Sequence, residues 1–219
     1  QGTNPLHSPV GSGAAERGDH IYIASHERGV GVVDQLIRVL DRQFEQEQLN
    51  QAWASDITYI PTEEGFMYLA VVLDLCSRKV VGWSMRDHMR SDLTCEALEM
   101  AIRRRRLDGR NASSRTAPLP FLVHSDRGVQ YASEQYQSLV RLHGFTASMS
   151  AKGDCWDNAM MESFFGTLKT ELVHHEQYRN HAQAKASIFE YIECFYNPKR
   201  RHSSLNYISP DEYERRLIN

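Results

Sequence analysis

"SDITYIPTEEGFMYLAVVLDLCSRKVVGWSM", residues 55–85, decides the fold. Residues 55–60 are rich in β-branched and aromatic side chains, and "PTEEG" supplies a turn. Residues 66–75 form a strand-like apolar run, "CSRK" turns again, and "VVGWSM" (80–85) reads as a third strand. Connections this short join antiparallel neighbours, so the stretch predicts a three-stranded meander.

Downstream, Ser91 or Asp92 is placed to cap a helix whose inner face carries Leu93, Ala97, Met100 and Ala101. Residues 107–120 read as a loop. "FLVHSD" (121–126) is short and apolar, as a buried parallel strand is. A helix from about Ser133 to His143 follows, with Gly144 at its end, and "TASMS" (146–150) is a fifth strand. Three strands, then helix, strand, helix, strand and helix make an α/β plan. It is a five-stranded mixed sheet, its first three strands antiparallel, flanked by helices in the order of the ribonuclease-H-like fold. Architecture alone does not give function.

Upstream, residues 1 to about 20 are rich in Gly, Ser and Pro and read as an extended tail. Residues 32–44 carry a short helical stripe at 33, 36, 37, 40 and 44. The chain thus divides into a tail and short linker helix (1–39), a core (40–197) and a basic C-terminal extension (198–219). No internal repeat or helix-turn-helix is legible.

The 219 residues suffice for a sizeable core. No apolar run is long enough for a membrane span and no signal peptide opens the chain, so the expected compartment is the cytosol, with no membrane partner. Cys76, Cys95, Cys155 and Cys194 form no C-x-x-C pair, which argues against a zinc knuckle or a disulfide framework. The net charge of −3 by itself argues against a nucleic-acid binder. Its distribution is more informative, because basic residues cluster in "RRRR" (103–106) and "NPKRRHSS" (197–204). Each run alone reads as a solvated face; two in one chain point towards a polyanion partner.

Three acids carry the chemistry. Asp56 lies inside the first strand, where a carboxylate is costly unless paired, hydrogen-bonded or metal-bound. Asp126 ends the fourth strand; alone it reads as a turn aspartate before "RG". Glu162 lies in "SAKGDCWDNAMMESFFGTLKTEL" (150–172), where Asp157 is placed as N-cap and Met161, Phe165, Leu168 and Leu172 form a buried stripe. Asn158, Glu162, Gly166 and Lys169 form a second stripe roughly 100° away, so Glu162 belongs to a separate face. Three carboxylates drawn together repel one another unless a hard cation neutralises them, and Mg²⁺ prefers such oxygen ligands. Two ions together suit in-line phosphoryl displacement.

"WASDITYIP", "HSDRGVQYAS" and the 150–172 stretch resemble the three catalytic blocks of a D,D(35)E transposase; 35 residues lie between Asp126 and Glu162. The chain is most similar to transposases of the bacterial insertion-sequence three family, within the retroviral-integrase-like superfamily. "YNPKRRHSSLNYISPDEYE" (196–214) matches the usual ending of that family, so the resemblance runs from about Leu40 to Leu217. It implies a ribonuclease-H-like catalytic core with two Mg²⁺ ions (or Mn²⁺), held by Asp56, Asp126 and Glu162, for DNA cleavage and 3′-OH strand transfer. It further implies that Lys169 grips DNA near the transposon end and that Asn158 lies near the metals. His124, Arg127, Gln130, Tyr131 and Lys152 become candidates for DNA contact or for support of the site. Implied partners are transposon-end and target DNA, further copies of the chain in a synaptic complex, and an upstream helix-turn-helix product. The implied location is the bacterial cytosol, on the nucleoid when DNA-bound. Competing readings are a ribonuclease-H-like nuclease that cuts without joining, an inactive DNA-binding derivative and, remotely, a two-carboxylate glycosidase.

Overall fold

The computed structural model describes residues 48–105, 121–126, 128–149 and 159–218. The meander is present: β1 (Ala52–Thr62), β2 (Gly65–Asp74) and β3 (Val80–Arg86) pair antiparallel. Two further strands, β4 (Leu122–Ser125) and β5 (Thr146–Met149), add in parallel beside β1 and give the order β3-β2-β1-β4-β5. β1 is longer at both ends than the six residues expected. "AWA" joins it by pairing with β4, and Pro61 and Thr62 stay in the ladder opposite Phe66 and Gly65.

Alternation along the strands sends side chains to two cores. Ala52, Ala54 and Ile60 of β1 join Leu69, Val71 and Leu73 of β2 on one face. That face is covered by α3 (Ala159–Glu171), α4 (His181–Phe189) and the π-helical segment Glu190–Tyr196. Trp53, Ala70, Val72 and Val81 face the other way, against α1 (Ser91–Arg104) and α2 (Glu134–Leu142). α1 lies so close to β3 that a Cβ on Gly82 would stand 2.1 Å from the Ala97 carbonyl oxygen. Only glycine fits there.

The helix ends divide. Ser133 caps α2, its side chain accepting the Tyr136 N–H at 3.3 Å, and Gly144, expected at the helix end, turns the chain away at φ +68°. The expected Ser91 or Asp92 cap of α1 is not made. The helix starts at Ser91, after an extended Arg90 that offers no side-chain cap, and Asp92 accepts the N–H of the next residue, Leu93, instead. The 32–44 helix, the 107–120 loop and the Asp157 cap lie outside the described residues.

The C-terminal region is bound into the body. α5 (Pro210–Ile218) buries Glu214, which accepts from the Ser77 hydroxyl at 2.7 Å and from the Arg105 guanidinium, with Lys79 3.3 Å away. Asn197 accepts the Val80 N–H and donates to the Val80 carbonyl, both at 3.0 Å, on the outer edge of β3. The Trp83 N–H on the same strand reaches the Met100 sulfur at 3.4 Å. Among the described residues no helix is long and apolar enough to cross a membrane.

Candidate active site

β1 and β4 run parallel in register from Ala52–Leu122 to Ser55–Ser125. Asp56 and Asp126 are the next residue on each strand. On β1, Asp56 follows the alternation of Ala54 and Ile60, towards the face that α3 covers. Its Oδ1 accepts the Ile57 N–H at 2.7 Å; Asp126 Oδ1 accepts the Gly128 N–H at 2.9 Å, the turn bond foreseen for "DRG". A Cβ on Gly128 would stand 2.9 Å from that same Oδ1, so a side chain there would push the Asp126 carboxylate aside.

Beneath the aspartates lies Tyr131, fully buried, its hydroxyl 3.1 Å from Ser55 Oγ. Burial, with smaller contributions from Tyr136 and from both Asp56 and Asp126, pushes its phenol well above its usual range. The hydroxyl therefore keeps its proton.

α3 packs on β1 with Met161, Phe164, Phe165 and Leu168 buried. Three members of the expected stripe are among them; Leu172 is partly buried against the core, and Phe164 widens the apolar side. On the second stripe, Glu162 and Gly166 are exposed and Lys169 is half-buried. The Lys169 ammonium lies 5.0 Å from the centre of the Tyr59 ring. Among the described residues, no group of three or more His, Cys, Asp or Glu side chains is placed to hold a metal ion. Two oxygen donors on adjacent strand ends suit a hard divalent cation, but Glu162, exposed on the helix packed against β1, does not close a three-donor group with them.

His124, Gln130 and Tyr131 are all buried. His124 Nδ1 is 3.1 Å from Ser148 Oγ, and burial pushes its imidazole down to about 4 against the opposing charge of Asp126. Gln130 donates to the Met89 carbonyl at 2.9 Å, tying the turn after β4 to the segment leading into α1. Arg127, Lys152, Asn158 and Trp156 lie outside the described residues. Sequence reading missed Ser55, whose signal was a second polar residue beside Asp56 in an apolar strand, and Tyr59, whose position in the strand does not announce a lysine above it.

The two basic clusters differ. In the first, Arg103 pairs with Glu99, Arg104 with Glu193 and Arg105 with Glu214, so its described members are held by carboxylates. In the second, Arg200 is held by Glu171 at 2.8 Å, while Arg201 is exposed and makes no ion pair among the described residues.

Two family models, each described as an integrase core domain, match residues 46–155 and 162–217. The chain is 46% identical over 180 residues to the Escherichia coli transposase InsF for insertion sequence IS3A, covering 82% of this chain and 59% of that protein. It is 43% identical over 178 residues to the transposase for insertion sequence element IS904 of Lactococcus lactis, covering 81% of this chain and 66% of the relative. It thus spans about three fifths of the length of the first of these curated relatives. Among solved structures, the simian T-cell lymphotropic virus intasome in complex with PP2A regulatory subunit B56 gamma superposes with a TM-score of 0.59 at 16% identity, over 77% of this chain and 55% of that one. The HTLV-2 integrase catalytic core domain, solved in complex with magnesium, superposes at 0.54 and 16% identity, over 77% and 99%. These two likenesses establish the ribonuclease-H-like fold of retroviral integrase cores. With half of its residues matched by one integrase core model and the rest of the described C-terminal region by a second, the chain belongs to the integrase core domain family.

Proposed function

We propose that this chain is the catalytic part of a DNA transposase, which cleaves at insertion-sequence ends and joins the freed 3′-OH to a second DNA site. The observation that carries this reading is the pair Asp56 and Asp126, one residue beyond the last rung joining β1 to β4, with α3 packed alongside and bearing Glu162. These three carboxylates would hold two divalent ions, Mg²⁺ or Mn²⁺. Such ions, when bound, supply the positive charge that activates an attacking oxygen and stabilises a leaving one.

In the first step a water oxygen forms a bond to phosphorus, the bond to the 3′-oxygen breaks, and that oxygen leaves as a 3′-OH. In the second, the 3′-oxygen attacks another phosphodiester, loses its proton to solvent, and displaces that strand's own 3′-oxygen. The protein's part is to position. Lys169, braced over Tyr59, holds a backbone phosphate near the reacting one. Tyr131 stays neutral and fixes Ser55, which sets the strand end from which Asp56 projects. Burial favours supporting roles for His124, Gln130 and Tyr131 over direct DNA contact. Arg127, Lys152 and Asn158 remain proposed contacts on the strength of the resemblance. Synapsis of two ends requires several copies of the chain, and end recognition would come from the upstream helix-turn-helix product, all in the bacterial cytosol.

The test uses a precleaved, labelled insertion-sequence end with target DNA, with and without Mg²⁺. Joined products that disappear in Asp56→Asn, Asp126→Asn and Glu162→Gln support the proposal. Metal-dependent cutting without joining would select the nuclease reading. Wild-type joining by all three variants would refute the assignment.

A further inference from the structure

Tyr59 and Phe66 stand side by side on the β1–β2 hairpin, their ring centres 5.1 Å apart and their planes at 68°. Each is a little more than half exposed, at 54% and 53%. Large apolar side chains exposed singly are ordinary, but two in contact form a patch of the kind that receives a partner. Bracing Lys169 covers only part of Tyr59, and Phe66 takes no part in the steps above.

Charge, position and access together say what the patch receives. The Lys169 ammonium lies 5.0 Å from the centre of the Tyr59 ring and makes no ion pair among the described residues. Of the carboxylates in the adjoining turn, Glu64 is engaged at the start of α4, where it accepts the His181 N–H at 2.9 Å. Tyr59 follows Asp56 by three residues on β1, a distance of about 10 Å along an extended strand. β4 pairs with β1 only as far as Ser55, so among the described residues no strand covers that side of β1 from Asp56 to Thr62. The first metal-binding candidate and the aromatic patch thus share one uncovered stretch of β1, with a cation over the nearer ring.

We propose that Tyr59 and Phe66 form a stacking platform for an unpaired base of the DNA end, with the adjoining phosphate on Lys169. The proposal rests on the reading that the chain acts on DNA. About 10 Å of strand holds about three nucleotides, so this base lies within about three nucleotides of the reacting phosphate. A base inside a duplex has both faces covered by its neighbours, so the occupant is one freed from pairing. Every base has a π face and stacks on an aromatic ring, while a cation beside the ring tracks the backbone. Such a platform holds a DNA end open without reading its sequence.

The test compares two labelled probes for binding to the full chain in EDTA at one fixed salt concentration. One is a blunt duplex of about 30 base pairs, and the other is the same duplex with about three unpaired nucleotides at one end. Wild-type protein is expected to favour the unpaired probe about tenfold, the scale of one stacked base. Phe66→Leu, which keeps an apolar side chain but no ring, is expected to erase that preference, and Phe66→Tyr to keep it. Tyr59→Leu is expected to erase it as well. Both positions are half exposed, so melting temperatures stay close to the wild-type value, and one position suffices if a variant at the other misfolds. A wild type without preference, or folded ring-free variants that retain it, overturn the proposal. So do ring-free variants that change the sedimentation of the protein and leave the preference intact, because the patch is then a contact between copies. If the preference is present and depends on the rings, yet no DNA ends are joined with Mg²⁺, the platform stands and the transposase reading alone falls.

Discussion

Asp56 and Asp126 occupy matching places on two adjacent strands, each the residue immediately after the Ser55–Ser125 rung that closes the parallel β1–β4 ladder. Their proximity comes from backbone pairing and does not depend on the conformation of a long loop. Replacing either by asparagine keeps the shape and removes the charge. Each variant is expected to lose two to three orders of magnitude or more of metal-dependent strand transfer, roughly the scale of losing one essential electrostatic group. The melting temperature should hold or rise. Titration calorimetry with Mg²⁺, run beside the joining assay, checks that the loss lies in metal binding.

Gly128 tests how finely Asp126 is set. The methyl of Gly128→Ala would come within 2.9 Å of Asp126 Oδ1 and 3.0 Å of Gln130 Oε1, so the carboxylate must swing aside. Overpacking of this kind costs about 1 kcal/mol or somewhat more. Activity is expected to fall further than that stability loss explains, measured as joining rate against the urea midpoint.

Glu214 joins the last helix to the β2–β3 turn and to the end of α1. Glu214→Ala would leave the Arg105 guanidinium, only 14% exposed, without its closest partner. Removing one member of a buried pair costs roughly 3–5 kcal/mol. Urea unfolding should show a loss on that scale, and Glu214→Gln, which can still accept from Ser77, should lose less.

His202 sets an acid limit. Burial, reinforced by Arg200 and Arg78 and opposed by Glu171, holds its imidazole down to about 4, below the ordinary 6.5. The Tyr196 ring also packs edge-on to it. The unfolded chain therefore takes up the proton first as pH falls. The stability contributed by neutral His202 is complete above about pH 6.5 and is lost between there and about pH 4. Thermal melts across this range should show a steep decline, flatter in His202→Asn.

Elements with a strong local pattern were legible in the sequence. The meander, the apolar "FLVHSD" strand and the Ser133-to-Gly144 helix each carry alternation, a run or a cap that a short window reveals. The second stripe of α3 was legible for the same reason, since Glu162, Gly166 and Lys169 keep a period of their own on its less buried side. Phe164 was missed because a two-residue aromatic pair blurs the edge of the apolar stripe. The cap of α1 failed because Asp92 bonds to the very next amide, a competition that composition does not resolve. Least legible were partners distant in sequence: Ser55 and Tyr131 are 76 positions apart, and Asn197 and Val80 are 117. No local periodicity encodes such contacts. Burial of His124 and Tyr131 likewise depended on strands and helices closing over them from elsewhere in the chain.

The side-chain amide of Asn197 imitates a neighbouring strand, offering Val80 both the acceptor and the donor that another polypeptide would bring, and Met100 occupies the next outward-facing amide at Trp83. One margin of the sheet is thereby closed to recruitment by main-chain pairing, which protects against runaway polymerisation. A second molecule meeting this one would accordingly find β3 already occupied at Val80 and Trp83, and helices, loops or the margin beyond β5 are left as the surfaces of contact.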